Sequence, residues 1–177
     1  FQRDIVVPND RRITRVLAFC AGDDSVTMYV NGALVGIGNG HPNLVGADLT
    51  GSIKPGINQL AATVTNGNAD VPNNPGGWIG AVRIEFPSGP PMVVHSDSKW
   101  KSVKSAEDGW QTTAFTGADW VPAMELGKAG ISPWGIPWGD RWHSEHRRLP
   151  GRYVRHQFQS PADKQVRRAT AYVCGLG

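Results

Sequence analysis

The sequence predicts an all-β protein built as an antiparallel β-sandwich. Glycine supplies 22 and proline 13 of the 177 residues, and such frequent breakers are typical of short strands joined by tight turns. Hydrophobic residues make up 40% of the chain, which is enough for a buried core. No window of about 12 residues shows a convincing 3.6-residue apolar period, so we expect little helix.

Short β-rich segments separated by turn residues carry this prediction. Asn31-Gly32 is a strong signal for a two-residue hairpin, because both positions of such a turn need positive φ. Pro55-Gly56 predicts a further turn, and the breaker PSGPP follows residue 86. Strands of this spacing are typical of a β-sandwich. The predicted strands cover residues 13–19, 25–30, 33–38, 57–64, 78–86 and 92–97.

An internal repeat indicates how the chain is organised. VPNDRRITRVLAFCAG at 7–22 aligns without gaps with SPADKQVRRATAYVCG at 160–175, and self-similarity at one fixed offset indicates a duplicated unit. We therefore predict a sandwich domain over 1–127, a connector over 128–152, and the truncated start of a second β-domain over 153–177. We also expect the chain to be a segment of a larger protein whose next β-domain begins near residue 153.

The connector is rich in tryptophan, glycine and proline. Trp134, Trp138 and Trp142 have helical spacing, but the intervening Gly135 and Pro137 argue against a helix. We expect the connector to lie against the sandwich, since three indole rings need apolar surface to cover them.

Charge and cysteine content narrow the classes of function. Residues 1–140 carry a net charge of −3 and residues 141–177 a net charge of +6, so the excess positive charge comes from the tail. A nucleic-acid-binding protein would more usually carry a basic face with interleaved aromatics, so this class is disfavoured. No run approaches the roughly 20 apolar residues of a membrane span. Cys20 and Cys174 match neither a disulfide scaffold nor a CxxC metal site, and we predict buried free thiols.

The usual enzyme signatures are missing from the sequence. It contains no GxSxG, P-loop or GxGxxG motif. Asp23 and Asp24 are adjacent, and adjacent residues of a strand point to opposite faces, which makes them a poor acid/base pair. His143 and His146 could share a metal ion on a helix, although an exposed polar linker is the better interpretation there. We therefore predict that this chain is not itself an enzyme.

Two polar segments suggest a binding site instead. Residues 21–25 contain Asp23 and Asp24 between two strands, and residues 66–74 contain Asn66 and Asn68 after another strand. If the two segments meet at one end of the sandwich, their carboxylate, amide and backbone oxygens suit Ca²⁺, and a sugar diol could complete its coordination. The alternative is turn chemistry, because Asp and Asn also hydrogen-bond their own backbone.

Several tryptophans could stack on a sugar ring. Trp100, Trp110 and Trp120 are better explained as core or rim residues of the sandwich, because large aromatics dominate core packing. Trp78 lies in PGGWIG beside the asparagine cluster, and we predict it as the aromatic platform, with Asn74 as a polar contact to the sugar.

These segments resemble a known type of domain. GDDSVTMYVNGALVG followed by ADLTGSIKPGINQLAATVTN is similar to the galactose-binding-like jelly-roll sandwich of many glycosidases, in which a -VNG- strand precedes a D-L-x-x-x-L/I-x-P-G-x-N strand. FQRDIVVP…AFCAGDDSVTMYVNG resembles the L-rhamnose-binding modules found within α-L-rhamnosidases and rhamnose-directed lyases. The closing RRATAYVCGLG looks like the start of the next β-domain in α-L-rhamnosidases. The resemblance covers 1–125 as module and 153–177 as its neighbour.

The resemblance implies a non-catalytic module that binds terminal L-rhamnose through Ca²⁺. The family's Asp-Asn pair falls on Asp23 and Asp24, so an aspartate here replaces the asparagine and adds charge that favours the cation. The family's later asparagine falls on Asn66, and a backbone carbonyl falls near Pro72. The family's aromatic after the hairpin has no tryptophan here, where the only ring is His41.

The same resemblance implies a secreted protein with an attached catalytic domain. The module would hold that enzyme near rhamnose-containing polysaccharide. Two alternatives stay open: an accessory domain of an α-L-rhamnosidase that shapes a distant active site without binding sugar, and a bare sandwich whose tryptophan-rich connector packs against a neighbour.

Overall fold

The computed structural model describes residues 1–40, 43–68, 70, 72, 76–113, 115, 117, 119–132, 134–135, 138, 157, 159, 163, 165, 167–168 and 170. The chain divides into two compact units, Phe1–Arg147 and Arg148–Gly177. Only isolated positions of the second unit are described, so the predicted start of a second domain at residue 153 stays a prediction.

The first unit is an antiparallel β-sandwich, as the sequence predicts. One sheet has six strands in the order β10-β9-β1-β6-β3-β4, and the other has four in the order β5-β2-β7-β8. No helix occurs in the described part of the chain, and so no helix there is long and apolar enough to cross a membrane. The strands are β1 (Gln2–Val7), β2 (Arg15–Asp23), β3 (Ser25–Val30), β4 (Ala33–Asn39), β5 (Val45–Asp48), β6 (Gly56–Thr65), β7 (Gly77–Glu85), β8 (Met92–His95), β9 (Lys101–Ser102) and β10 (Val121–Pro122).

The main core lies between the two sheets. Alternate residues of β3 are buried, which is the period-two pattern of a strand with one face on a core. Cys20 and Met28 meet there, with the two sulfur atoms 2.9 Å apart. Cys20 is a buried free thiol, as predicted, and its burial raises the pKa of the thiol to about 12. Cys174 lies outside the described residues.

A second apolar cluster covers the outer face of the four-stranded sheet. Seven consecutive residues of β2, Val16 to Gly22, are buried, because both faces of this strand are covered. Trp138 is buried on the outer face, with Trp134 packed beside it. The described part of the connector therefore lies against the sandwich, while Trp142 is outside the described residues. The sheet residues of this cluster are Leu17, Phe19, Ala21, Ile79 and Ala81.

Two turns fix the strands around the core. Asn31 and Gly32 have φ of 50° and 85°, which are the positive values that the predicted hairpin requires. Asn58, at the start of β6, is fully buried and hydrogen-bonds the backbone of Lys54 in both directions. Its side chain thus closes the turn around Pro55-Gly56 that leads into β6.

Candidate functional site

Three passages of the chain between the two sheets lie at one end of the sandwich. One of these passages runs from Asn39, the end of β4, to Val45, the start of β5. β2 belongs to the four-stranded sheet and β3 to the six-stranded sheet, and Asp24 alone connects them. The chain passes back between Thr65, the end of β6, and Gly77, the start of β7. Asp23 pairs with Gly77 and Ser25 pairs with Thr65, so the β2–β3 and β6–β7 passages lie side by side. We call this region the crossover end.

This geometry corrects the predicted end of β2. The sequence prediction ended the strand at residue 19 and placed a loop over 21–25, because glycine and two aspartates are typical of turns. In the structure β2 pairs with β7 through Ala21, Gly22 and Asp23. A side chain at Gly22 would meet Ser25 O and Val26 Cβ at 2.8 Å, so the glycine permits the close approach of the next strand.

Asp24 joins the segments of the crossover end. Its backbone N–H donates to Thr65 O at 2.5 Å, and its Oδ2 accepts the N–H of Gly67 at 2.5 Å. Gly40 N–H donates to the carbonyl oxygen of Asp24. The Asp23–Asp24 peptide bond is cis. A Cβ at Gly67 would lie 2.9 Å from Asp24 Oδ2, so only glycine lets this backbone approach the carboxylate so closely.

The structure brings three of the predicted site residues together. Asp24 touches the segment that begins at Asn66, and Asp23 is paired with Gly77. Asn66 lies against Gly76, where an added Cβ would be 2.7 Å from the amide carbon Cγ. Asp24 and Asn66 are exposed and Asp23 is half-buried.

The structure shows less of the other residues in the predicted site. Asn68 and Pro72 are exposed and follow Asn66 along the same connection. Asn74 and His41 lie outside the described residues. Nothing in the described part of the chain therefore tests a role for Asn74.

The chemistry of these donors fits a hard cation. Carboxylate, amide and carbonyl oxygens are the ligands that Ca²⁺ takes, and a carboxylate that accepts one backbone N–H keeps further lone pairs. The described residues contain no group of three or more His, Cys, Asp or Glu that could hold a metal ion. A cation at the crossover end would thus depend on amide and backbone oxygens beside the two aspartates.

Trp78 is not an isolated platform. It is the second residue of β7, is half-buried, and packs against the main core. Its ring meets Trp100 edge to face, with centroids 4.8 Å apart, and Phe1 at 5.5 Å. Its ring also covers Gly80, where an added Cβ would be 2.6 Å away.

The remaining tryptophans of the sequence prediction have packing roles. Trp100 is buried in the main core. Trp110 and Trp120 stack with centroids 5.7 Å apart and are half-buried beside Tyr29 of the six-stranded sheet. This agrees with the expectation of core or rim for these three.

A cavity of about 450 Å³ adjoins the crossover end and was not foreseen from the sequence. Gly76 and Gly77, the residues that touch Asn66 and pair with Asp23, form part of its wall. Segment 123–131 and four tryptophans provide most of the rest. We call it the side cavity; its tryptophans are Trp78, Trp100, Trp134 and Trp138. The sequence signal for this cavity is the pair Trp134 and Trp138, two large aromatic residues in a segment rich in glycine and proline.

The acidic side chains of the side cavity are engaged in internal bonds. Asp97 accepts a hydrogen bond from Arg3 at 2.7 Å and from the backbone N–H of Lys99 at 3.0 Å. Glu125 accepts the N–H of Ser98 at 2.8 Å, and this bond lowers the pKa of the Glu125 carboxyl. The cavity is therefore mainly apolar, and the two acidic side chains at its rim accept hydrogen bonds from neighbouring protein groups.

Comparison with known proteins places this fold among sugar-related structures. No protein-family model matches the chain, and no curated protein matches it. The chain is similar to an α-L-rhamnosidase from Streptomyces avermitilis solved with L-rhamnose, with a TM-score of 0.66 and 28% identity over 76% of this chain. It is also similar to the lectin of Pleurotus ostreatus, solved in its apo form and with GalNAc, with a TM-score of 0.63 and 27% identity over 77% of this chain.

A third structure shares the fold at lower identity. The α-L-rhamnosidase from Dictyoglumus thermophilum has a TM-score of 0.56 and 18% identity over 70% of this chain. The chain spans 13% of the Streptomyces rhamnosidase, 38% of the lectin and 17% of the Dictyoglumus rhamnosidase. The likeness thus concerns one domain of much longer proteins.

Proposed function

We propose that this chain is a non-catalytic carbohydrate-binding module that binds terminal L-rhamnose through a calcium ion. The observation that carries the proposal is the crossover end, where Asp24 links two connections between the sheets and brings Asp23 and Asn66 together. The likeness to a rhamnosidase solved with L-rhamnose and to a lectin supports a sugar as the ligand.

The proposed cation ligands are oxygens of the crossover end. Asp23 and Asp24 would supply carboxylates, and Asn66 and Asn68 amide oxygens, with the backbone carbonyl of Pro72 beside them. When bound, Ca²⁺ would coordinate adjacent hydroxyls of the sugar. The hydrogen bond from Gly67 fixes the Asp24 carboxylate in advance, so less ordering is needed on binding.

The proposed sugar contacts are Trp78 and Asn74 together with the two aspartates. Trp78 is half-buried at the wall of the side cavity, where Phe1 and Trp100 hold its ring in place. A held ring suits stacking on a sugar, because little side-chain entropy is lost. The role of Asn74 rests on its place in the sequence alone.

The biological role that we propose is targeting. A module that binds terminal rhamnose weakly, with Kd on the order of 10⁻⁴ M, would still raise the local concentration of rhamnose-containing polysaccharide for an attached enzyme. Such an enzyme would work outside the cell, where its substrate is.

Calorimetric titration of L-rhamnose into the 177-residue chain tests the proposal. We expect heat of binding with Ca²⁺ and none with EDTA. Asp24→Asn keeps an oxygen that can accept the Gly67 N–H but removes the charge, so the fold should persist while Ca²⁺ affinity drops. Asp23→Ala should abolish rhamnose binding. Asp4→Ala, at an exposed aspartate of β1, is the matched control and should bind as the unmodified chain does.

The main rival role is that of an accessory domain of an α-L-rhamnosidase with purely structural contacts. The exposed Met124 and Leu126 at the side cavity favour it, because exposed apolar side chains often mark contacts between domains. Absence of heat in both buffers, with a melting temperature that Ca²⁺ leaves unchanged, would support this rival and exclude our proposal.

A further inference from the structure

The side cavity is built to take an apolar, planar group. Its volume of about 450 Å³ falls within the range of small-molecule sites, roughly 300–1,000 Å³. Met124 and Leu126, which line it, have exposed fractions of 82% and 59%. Covering these exposed apolar side chains and the neighbouring indole rings with a flat apolar group lowers the free energy of the complex.

The wall opposite the strands is held by its own hydrogen bonds. Gly130 N–H donates to Gly135 O at 2.7 Å, and Gly135 N–H donates to Ile131 O at 2.9 Å. Leu126 and Trp134 lie over Gly77, where an added Cβ would be 3.1 Å and 3.3 Å from them. The cavity is therefore already formed, and a ligand would not have to order this segment on binding.

The mainly apolar lining of the cavity suits an aromatic ring better than a second sugar ring. A sugar presents many hydroxyls, each of which needs a partner once it is removed from water. Asp97 already accepts hydrogen bonds from Arg3 and Lys99, and Glu125 accepts one from Ser98. Planar aromatic rings match the indole faces without such demands.

The cavity adjoins the proposed calcium site. Gly76 and Gly77 form part of its wall, Asn66 lies against Gly76, and Asp23 is paired with Gly77. A group attached to the sugar held at Asp23 and Asn66 would thus reach the cavity across these two glycines.

We propose that the side cavity receives the aromatic, non-sugar part of a glycoside whose sugar lies at the crossover end. The module then recognises aryl glycosides in preference to the sugar alone. This inference rests on the proposed function, since it takes the sugar of that site as the neighbour of the aromatic group.

Paired calorimetric titrations test the inference, with methyl and 4-nitrophenyl α-L-rhamnoside as the two probes in Ca²⁺ buffer. We expect the nitrophenyl glycoside to bind about tenfold more tightly or better. Met124→Gln and Leu126→Gln should each reduce that ratio severalfold and leave the methyl glycoside unaffected. Ile57→Gln is the matched control, because Ile57 is 70% exposed on the other sheet, and it should change neither affinity.

The outcomes separate this inference from the proposed function. Equal affinities for the two probes, or a ratio that both cavity variants leave unchanged, overturn the inference while calcium-dependent sugar binding stands. A dirhamnoside that gains as much as the nitrophenyl glycoside also overturns it, because the cavity would then hold sugar. If the methyl glycoside fails to bind, the proposed function fails. In that case the nitrophenyl glycoside is titrated in EDTA buffer. Binding that Leu126→Gln removes would support an aromatic site in the cavity, and no binding would exclude such a site.

Discussion

Replacing Asn58 by alanine should cost this sandwich a large part of its stability. Asn58 is fully buried, and four hydrogen bonds involve its side chain. Its Oδ1 accepts from Lys54 N–H at 3.0 Å and from Asn31 Nδ2 at 3.0 Å. Its Nδ2 donates to Lys54 O at 2.6 Å and to Gly56 O at 3.2 Å. The asparagine thereby ties the turn before β6 to the β3–β4 hairpin.

The size of the loss follows from these bonds. Each bond contributes about 1 kcal/mol net, and partial hydration of the freed groups offsets some of the loss, so we expect Asn58→Ala to lower the free energy of unfolding by about 3–4 kcal/mol. That is a substantial fraction of the roughly 5–15 kcal/mol that holds an ordinary domain together. Asn39→Ala, at an exposed asparagine of β4, should stay within about 0.5 kcal/mol.

Urea unfolding followed by tryptophan fluorescence measures this loss. All seven tryptophans fall between residues 78 and 142, so the signal reports on the first unit. With a slope near 2 kcal/mol per molar urea, the midpoint for Asn58→Ala should fall by about 1.5–2 M. A decrease in the free energy of unfolding below about 1 kcal/mol would refute the view that this side chain closes the turn.

Three further predictions concern separate parts of the sandwich. Cys20 should resist a disulfide reagent in a Cys174→Ser chain until urea unfolds the protein, because its thiol pKa of about 12 leaves little thiolate at pH 8. Rapid labelling of the folded protein would contradict the burial of Cys20. Gly67→Ala should displace the Asp24 carboxylate and weaken Ca²⁺ binding about tenfold in a calcium titration, with little change in melting temperature; unchanged affinity would count against the proposed ligand set. Ile84→Ala, at a fully buried position of β7, should lower the free energy of unfolding by about 3 kcal/mol in the same urea assay, and a loss below about 1 kcal/mol would show that the site closes around the missing atoms.

Local signals in the sequence predicted most of the central strands. β3 matches its predicted span, 25–30, and the Asn31-Gly32 turn has the expected positive φ, because a two-residue turn depends only on its own residues. β1 was not assigned, since QRDIVV has no clean alternation and its pairing with β6 is distant in sequence. β5 was also missed, because a four-residue strand containing glycine and aspartate looks like a loop.

The candidate site shows the same limit. The sequence identified Asp23, Asp24 and Asn66 as oxygen donors, but not that Asp24 by itself connects the two sheets. Which sheet a strand joins depends on long-range pairing, here between Asp23 and Gly77. Local composition does not predict such pairing. The side cavity was missed for the same reason, because it forms only when segment 123–131 packs beside β7 and β8.

The one-residue connection at Asp24 has a consequence for how this domain can vary in length. An insertion there would shift either the pairing of Asp23 with Gly77 or that of Ser25 with Thr65, and a shift of one residue turns every following side chain to the opposite face. The connection between Gly67 and Gly76 joins the same two sheets, and its length can change without moving either register. Altered ligand preference, whether selected or designed, should therefore be introduced by rebuilding the residues between Gly67 and Gly76 around an unchanged Asp24.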